Sequence, residues 1–121
     1  MLKLINDLPN DVLGISAEGK VSGADYKTIL IPALEEKLKS GKKIRLLYYL
    51  ESSFTGFDLA AMLDDAGIGI KHLSAWDKVA FVSDHHMMNS FVKFFGHMIP
   101  CEVRIFKETE LDEAKKWIAQ K

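Results

Sequence analysis

One cysteine, Cys101, in 121 residues excludes an internal disulfide and fits a reducing compartment. No excess of positive charge is present to attract a polyanion. The 16 Lys and Arg residues against 17 Asp and Glu leave a formal charge of -1, and the lysines are scattered, which argues against nucleic acid as the main partner. No apolar run approaches the roughly 20 residues that span a bilayer. Met1 to Asn10 lacks a basic start followed by a long apolar core, so neither a signal peptide nor a transmembrane segment is expected, and the expected location is the cytoplasm. Gly-x-Gly-x-x-Gly, Walker-type and Gly-x-Ser-x-Gly patterns are missing, so no cofactor is indicated. Repeats, low-complexity segments and long linkers are missing too, so residues 1–121 are read as a single domain.

What remains is an ordinary globular composition, 48% hydrophobic and 27% charged. A chain of this size buries roughly two thirds of its unfolded surface and folds without a metal or disulfide. Leu2 to Ile5 reads as a short strand, residues 8–11 as a turn, and Val12 to Val21 as a second strand paired antiparallel with the first. From Ser22 the period becomes helical through Tyr26, Ile29, Leu30, Ala33, Leu34 and Leu38, with Pro32 predicting a kink or an irregular first half. Ile44 to Leu50 is a nearly continuous apolar run, the mark of a strand covered on both faces. A helix from about Phe57 to Ala66, a strand at Val79 to Val82, a helix from His86 to about Met98, a strand at Glu102 to Phe106 and a helix at Leu111 to Ala119 complete the reading. The order β-β-α-β-α-β-α-β-α predicts an α/β fold, a mixed sheet of about five strands flanked by about four helices.

The segment Leu46-Leu47-Tyr48-Tyr49-Leu50-Glu51-Ser52-Ser53-Phe54-Thr55-Gly56-Phe57-Asp58 carries an apolar strand into a hydroxyl-rich turn and a predicted helix. In open α/β sheets the carboxyl ends of strands, beside helix N-termini, are where ligands collect. Ser22-x-x-Asp25, Thr55-x-x-Asp58 and Thr109-x-x-Asp112 each spell a capping box, hydroxyl first and acid three residues later. Capping accounts for Thr55 and leaves Ser52 and Ser53 as the hydroxyls without a structural purpose.

Four stretches together resemble the SpoIIAA-like family of STAS-fold proteins, small bacterial domains also compared with CRAL-TRIO lipid-transfer domains. They are Gly19 to Tyr26 with Ile31 to Glu35; Ile44 to Tyr48; Gly69 to Leu73 with Trp76 to Val82; and Glu102 to Phe106 with Glu113 to Ile118. The resemblance implies a mixed sheet flanked by helices. It also implies kinship with anti-anti-sigma factors, which carry a phosphorylatable hydroxyl in an Asp-Ser-Ser-Gly turn. The matching region, Glu51-Ser52-Ser53-Phe54-Thr55-Gly56, keeps hydroxyls and a glycine but not that string. A phosphate at a helix N-terminus is electrostatically favourable, whereas Glu51 and Asp58 would repel it.

No catalytic constellation emerges. His86 and His97 stand about three turns apart on one helix, roughly 16 Å, and adjacent His85 and His86 diverge by about 100°, so neither pair makes a metal site alone, and His72 is equally unsupported. Cys101 has no recognisable base and reads as a small residue at a strand entry. The helix from His86 to Ile99 is a better lead, because Met87, Met88, Phe91, Val92, Phe94, Phe95, Met98 and Ile99 cover an arc of about 160° where about 100° suffices for a core. The surplus suits deeper burial, a homodimer contact or a pocket wall. Trp76 and Trp117 read as core anchors, and Tyr48 and Tyr49 point to opposite faces of their strand.

The expected function is therefore non-enzymatic: a module binding an apolar or amphipathic small molecule, lipid-like, at the carboxyl ends of the central strands. Its polar rim is Ser52, Ser53, Thr55, Asp84 and His85, and its wall Phe54, Phe57 and Met87. The alternative is a regulatory protein-binding module of the anti-sigma-factor-antagonist type, switched by phosphorylation at Ser52, Ser53 or Thr55. Neither reading calls for a metal.

Overall fold

The computed structural model describes residues 1–9, 11–39, 41, 43–57, 76–86, 89, 90, 92, 93 and 101–120, with Tyr26 and Phe57 described by their backbone alone. Five strands form the main sheet: β1 (Leu2–Ile5), β2 (Val12–Ala17), β4 (Ile44–Leu50), β6 (Trp76–Val82) and β7 (Glu102–Phe106), in the spatial order β1-β2-β4-β6-β7. β1 runs antiparallel to β2, with Leu2 opposite Ala17 and Ile5 opposite Gly14; the β2-β4, β4-β6 and β6-β7 pairs are parallel. This is the mixed sheet that the pattern of elements predicts. Its parallel strands carry their carboxyl ends to the same side, where residues 50–57, 83–86 and 107–110 meet.

β4 is central, and its side chains divide between two cores. Ile44 and Leu50 pack with Leu13, Ile15, Leu34 and Phe81 on one face, while Leu47 packs with Val12, Ala80, Val82, Phe106, Ala114 and Ile118 on the other. The second face is covered by α3 (Leu111–Ala119), whose Ala114 and Ile118 are fully buried. The first is covered by α2 (Ile31–Leu38) and by Val92 from the stretch where residues 86, 89, 90, 92 and 93 are helical. Trp76 packs against the first core and Trp117 against the second, as anchors. Tyr48 meets Phe81 at 6.0 Å between ring centroids, whereas Tyr49 faces the α3 side, as alternation requires.

A charge interrupts the apolar run of β4. Arg45 is 2% exposed; its Nη1 donates to the carbonyls of Ile118 at 2.6 Å and Gln120 at 2.7 Å, and its Nη2 pairs with the Asp11 carboxylate. One side chain thus ties the β2 entry to the last carbonyls of α3, groups that lack partners within the helix.

Three expectations are corrected. The strand predicted over Val12 to Val21 is two strands, β2 and β3 (Lys20–Val21), because Gly19 sits at φ 55° and turns the chain out of the main sheet. The predicted helix cannot start at Phe57, because Gly56–Phe57 is β5, paired parallel with β3. The Thr109 box is replaced by one two residues earlier: the Lys107 N–H donates to Glu110 Oε1 at 2.9 Å, opening a 3-10 turn at Glu108–Glu110 that runs into α3. The Ser22 box is borne out by reciprocal bonds, Asp25 N–H to Ser22 Oγ at 3.2 Å and Ser22 N–H to Asp25 Oδ2 at 2.9 Å. After α1 (Gly23–Asp25) the chain widens into a π-helical turn at Tyr26–Leu30 before α2. Pro32, with no N–H to give the preceding turn, accounts for that irregularity. The remainder of the helix predicted to residue 66, and most of the one predicted from 86 to 99, lie outside the described residues.

Candidate functional site

The turn after β4 is fixed by the strands around it. Glu51 N–H continues the pairing to Ala17 C=O at 3.0 Å, Phe54 N–H closes the turn onto Glu51 C=O at 2.9 Å, and Thr55 N–H reaches Gly19 C=O at 2.8 Å. Thr55 therefore leads into β5, with its hydroxyl exposed, and is not the cap of a helix starting at Phe57. Ser52 and Ser53 stand at the exposed tip. Phe54 folds back and is 7% exposed, inside the first core.

The loop after β6 closes on that turn. The fully buried Ser83 accepts the His85 N–H on its Oγ at 2.9 Å, which aims the imidazole across β4: His85 Nε2 lies 3.1 Å from Glu51 C=O, and the ring meets Phe54 edge-on at 5.4 Å. Glu51, Phe54 and His85 are thus brought together at the end of β4. Asp84 turns the other way and accepts Glu108 N–H at 3.2 Å. The Phe57 side chain and Met87 lie outside the described residues.

Carboxylates gather on the α3 side of this end. Ser16 Oγ donates to Glu51 Oε2 at 2.7 Å and draws the Glu51 pKa down, but burial and the hydrogen-bonded Glu18 outweigh it and leave Glu51 above its ordinary value. Glu18 is held below its ordinary value by the same bond to Glu51, with Lys3 assisting. The two carboxyls therefore favour sharing one proton. Burial raises the Tyr49 phenol, whose OH donates to Glu108 Oε1 at 3.3 Å, and the neighbouring carboxylates add to the rise.

A large hollow lies one strand further along. A cleft of about 1110 Å³ runs beside β7, lined by Ser83 and Asp84 at the end of β6, by helical residues including Asn89, Val92 and Lys93, and by Cys101, Val103–Lys107 and Glu110. Its lining includes the apolar Val92, Val103 and Ile105 and the cationic Lys93, Arg104 and Lys107. The Arg104 guanidinium is steadied over the rings of Phe106 at 5.2 Å and Trp117 at 5.3 Å. Burial, with Asp77 nearby, pushes the Cys101 thiol up, away from the thiolate a nucleophile needs. Of the rim and wall residues expected at the strand ends only Asp84 lines this cleft, together with His86 and Val92 of the helix read as a pocket wall or dimer contact, and Cys101. The missed signal is the alternation of Glu102-Val103-Arg104-Ile105, charged and apolar by turns, which marks a strand less enclosed than β4. Among the described residues no group of three His, Cys, Asp or Glu side chains is placed to hold a metal, and no helix is long and apolar enough to cross a membrane.

Comparison with known proteins agrees with this architecture. Residues 12–119 match the SpoIIAA-like family model. A solved structure of an uncharacterised protein of the DUF3478 family with a SpoIIAA-like fold, from Shewanella loihica PV-4, is similar with a TM-score of 0.73 and 24% identity, covering 97% of this chain and 93% of that one. No curated protein matches the chain.

Proposed function

The chain belongs to the SpoIIAA-like family, and on that footing we propose that it is a non-enzymatic STAS-type module that acts by binding a partner protein in the cleft beside β7. The observation that carries this reading is the cleft's make-up: an open hollow in which polar and charged groups outnumber the apolar Val92, Val103, Ile105 and Phe106. Pockets for small apolar ligands are mostly apolar and enclose most of their guest. Protein contact surfaces combine an apolar centre with a polar rim.

The amphipathic small molecule is the second reading, favoured by one observation: the lining combines apolar Val92, Val103 and Ile105 with cationic Lys93, Arg104 and Lys107, the two kinds of group that a tail and an anionic head would require. The turn after β4 retains a place in the first reading as a control point. The hydroxyls of Ser52, Ser53 and Thr55 are exposed and so open to a kinase, with Glu51 beside them to oppose the phosphate.

Affinity purification from source cells with wild-type and Arg104→Glu baits, coupled to native mass spectrometry of the freshly purified protein, separates the readings. The expected result is a protein retained by wild type, lost with Arg104→Glu, and no bound small molecule. A co-purifying lipid transfers the cleft to the second reading. Neither partner nor ligand refutes both, and an intact mass without phosphate removes the switch.

A further inference from the structure

β7 is an outer strand of the sheet as described, and the cleft beside it is lined by Val103, Arg104, Ile105, Phe106 and Lys107 in unbroken succession. Neighbouring residues of a strand face opposite sides of the sheet. A hollow bounded by every residue in turn therefore opens on the strand's edge, not above one face. One hydrogen bond fixes which backbone groups look into it. Phe106 C=O accepts Ser83 N–H at 2.9 Å, so the backbone of Phe106 faces β6, and by alternation so does that of Arg104, in keeping with the register that sets Phe81 opposite Ile105 and Val82 opposite Phe106. Val103 and Ile105 then direct their N–H and C=O groups outward, where no described residue pairs with them.

We propose that this edge receives an extended acidic segment of a partner protein as a sixth strand, added along β7 with its apolar side chains on Val92, Val103 and Ile105. This rests on the reading of the cleft as a protein-binding surface and names the partner's chemistry. The backbone supplies the first argument. Two outward N–H and two outward C=O groups lose water when the cleft is filled; a peptide strand replaces those bonds in alternation, whereas a hydrocarbon tail leaves each group desolvated and without a partner. Charge supplies the second. Lys93, Arg104 and Lys107 form no ion pair with any described carboxylate, while the two acids of the lining are already engaged, Asp84 by Glu108 N–H and Glu110 by Lys107 N–H. The same cations oppose pairing with a second copy of β7, since self-pairing would gather the cations of both copies. Asn89, which also lines the cleft, is held by its Nδ2 donating to Ser83 C=O at 2.8 Å. At five residues, β7 sets the length of the paired segment.

The test is a titration with a labelled ten-residue peptide of alternating Val and Glu, and with its Val-Lys counterpart, read by fluorescence anisotropy. Expected are saturable binding of the acidic peptide, weakening several-fold as salt rises, and no binding of the basic one. Val103→Pro removes one outward N–H while leaving the bonds to β6 in place, which an edge strand tolerates. It should weaken binding at least tenfold with an unchanged circular dichroism spectrum, and Lys107→Glu, which leaves the backbone alone, should weaken it comparably. Absence of acidic-peptide binding at millimolar concentration, or binding indifferent to both variants, overturns the proposal. If Val103→Pro still retains a partner that Arg104→Glu loses, the edge-strand mode fails while the protein-binding reading stands; if wild type retains none, that reading fails as well.

Discussion

Replacing Arg45 with Met should destabilise the protein more than any exposed-charge substitution. Met preserves most of the buried volume but removes two donors to the Ile118 and Gln120 carbonyls and the cationic partner of Asp11. Breaking a buried charge pair from one side costs about 3–5 kcal/mol. Because the Asp11 side chain is 33% exposed and can regain water, the lower half of that range is expected. With an unfolding entropy of about 2.1 cal/mol/K per residue, 121 residues give about 0.25 kcal/mol/K, so a loss of about 3–4 kcal/mol lowers Tm by about 12–16 °C. Thermal and urea unfolding followed by circular dichroism measure it. Asp11→Asn should cost less, about 1–2 kcal/mol, because Arg45 keeps both carbonyls. Local release comes first: carboxypeptidase should trim Arg45→Met at the end of α3 below its Tm. A variant within about 1 kcal/mol of wild type would refute the reasoning, because it would mean that desolvation of the guanidinium had cancelled all three interactions.

Gly14 lies against β1, and a Cβ there would stand 2.5 Å from Leu8 Cδ1 and 2.9 Å from Ile5 Cβ, so Gly14→Ala should cost about 1–3 kcal/mol in urea unfolding. Phe54→Ala should cost about 3–5 kcal/mol and shift the His85 ring resonances, since it empties the space the imidazole edge rests on. The Glu18 and Glu51 pair gives a pH dependence with a definite sign. Glu51, raised on folding, contributes stability that is complete below its unfolded pKa and lost as pH rises through its folded value; Glu18, lowered, contributes stability present above its unfolded pKa and lost as pH falls. The pair is therefore most favourable in the mildly acidic range, and Glu51→Gln should raise Tm at about pH 7 while leaving the acid-side loss in place, as a series of melting curves will show.

Much of this architecture is legible in local patterns because local patterns cause it. The run Ile44 to Leu50 is apolar on both faces because both faces of β4 are covered, and Leu111 to Ala119 reads as a helix because Ala114 and Ile118 recur on its buried side. The errors arise where a distant partner decides. Leu13, Ile15, Ala17, Gly19 and Val21 alternate without a break, yet Gly19 turns the chain away, and Thr55-x-x-Asp58 spells a cap although Lys20–Val21 recruits Gly56–Phe57 as a strand. The strand-end rule located the Glu51 to Thr55 turn and the 83–85 loop, but the inward fold of Phe54 onto His85 depends on a partner 31 residues away. The cleft depends on spatial strand order, which places β7 outermost. The charges alternating through Glu102–Phe106 and the apolar surplus of the helix that carries Val92 were its local signs.

The central claim, that the outer edge of β7 is the working surface, is tested most directly by amide hydrogen exchange of residues 102–107 with and without the alternating Val-Glu peptide. In the free protein Arg104 and Phe106, bonded to β6, should exchange slowly, while Val103 and Ile105 exchange fast; the peptide should slow Val103 and Ile105 and leave the other two unchanged. Uniform protection along β7 in the free protein, or peptide-induced protection confined to the Glu51 to Thr55 turn, would contradict it.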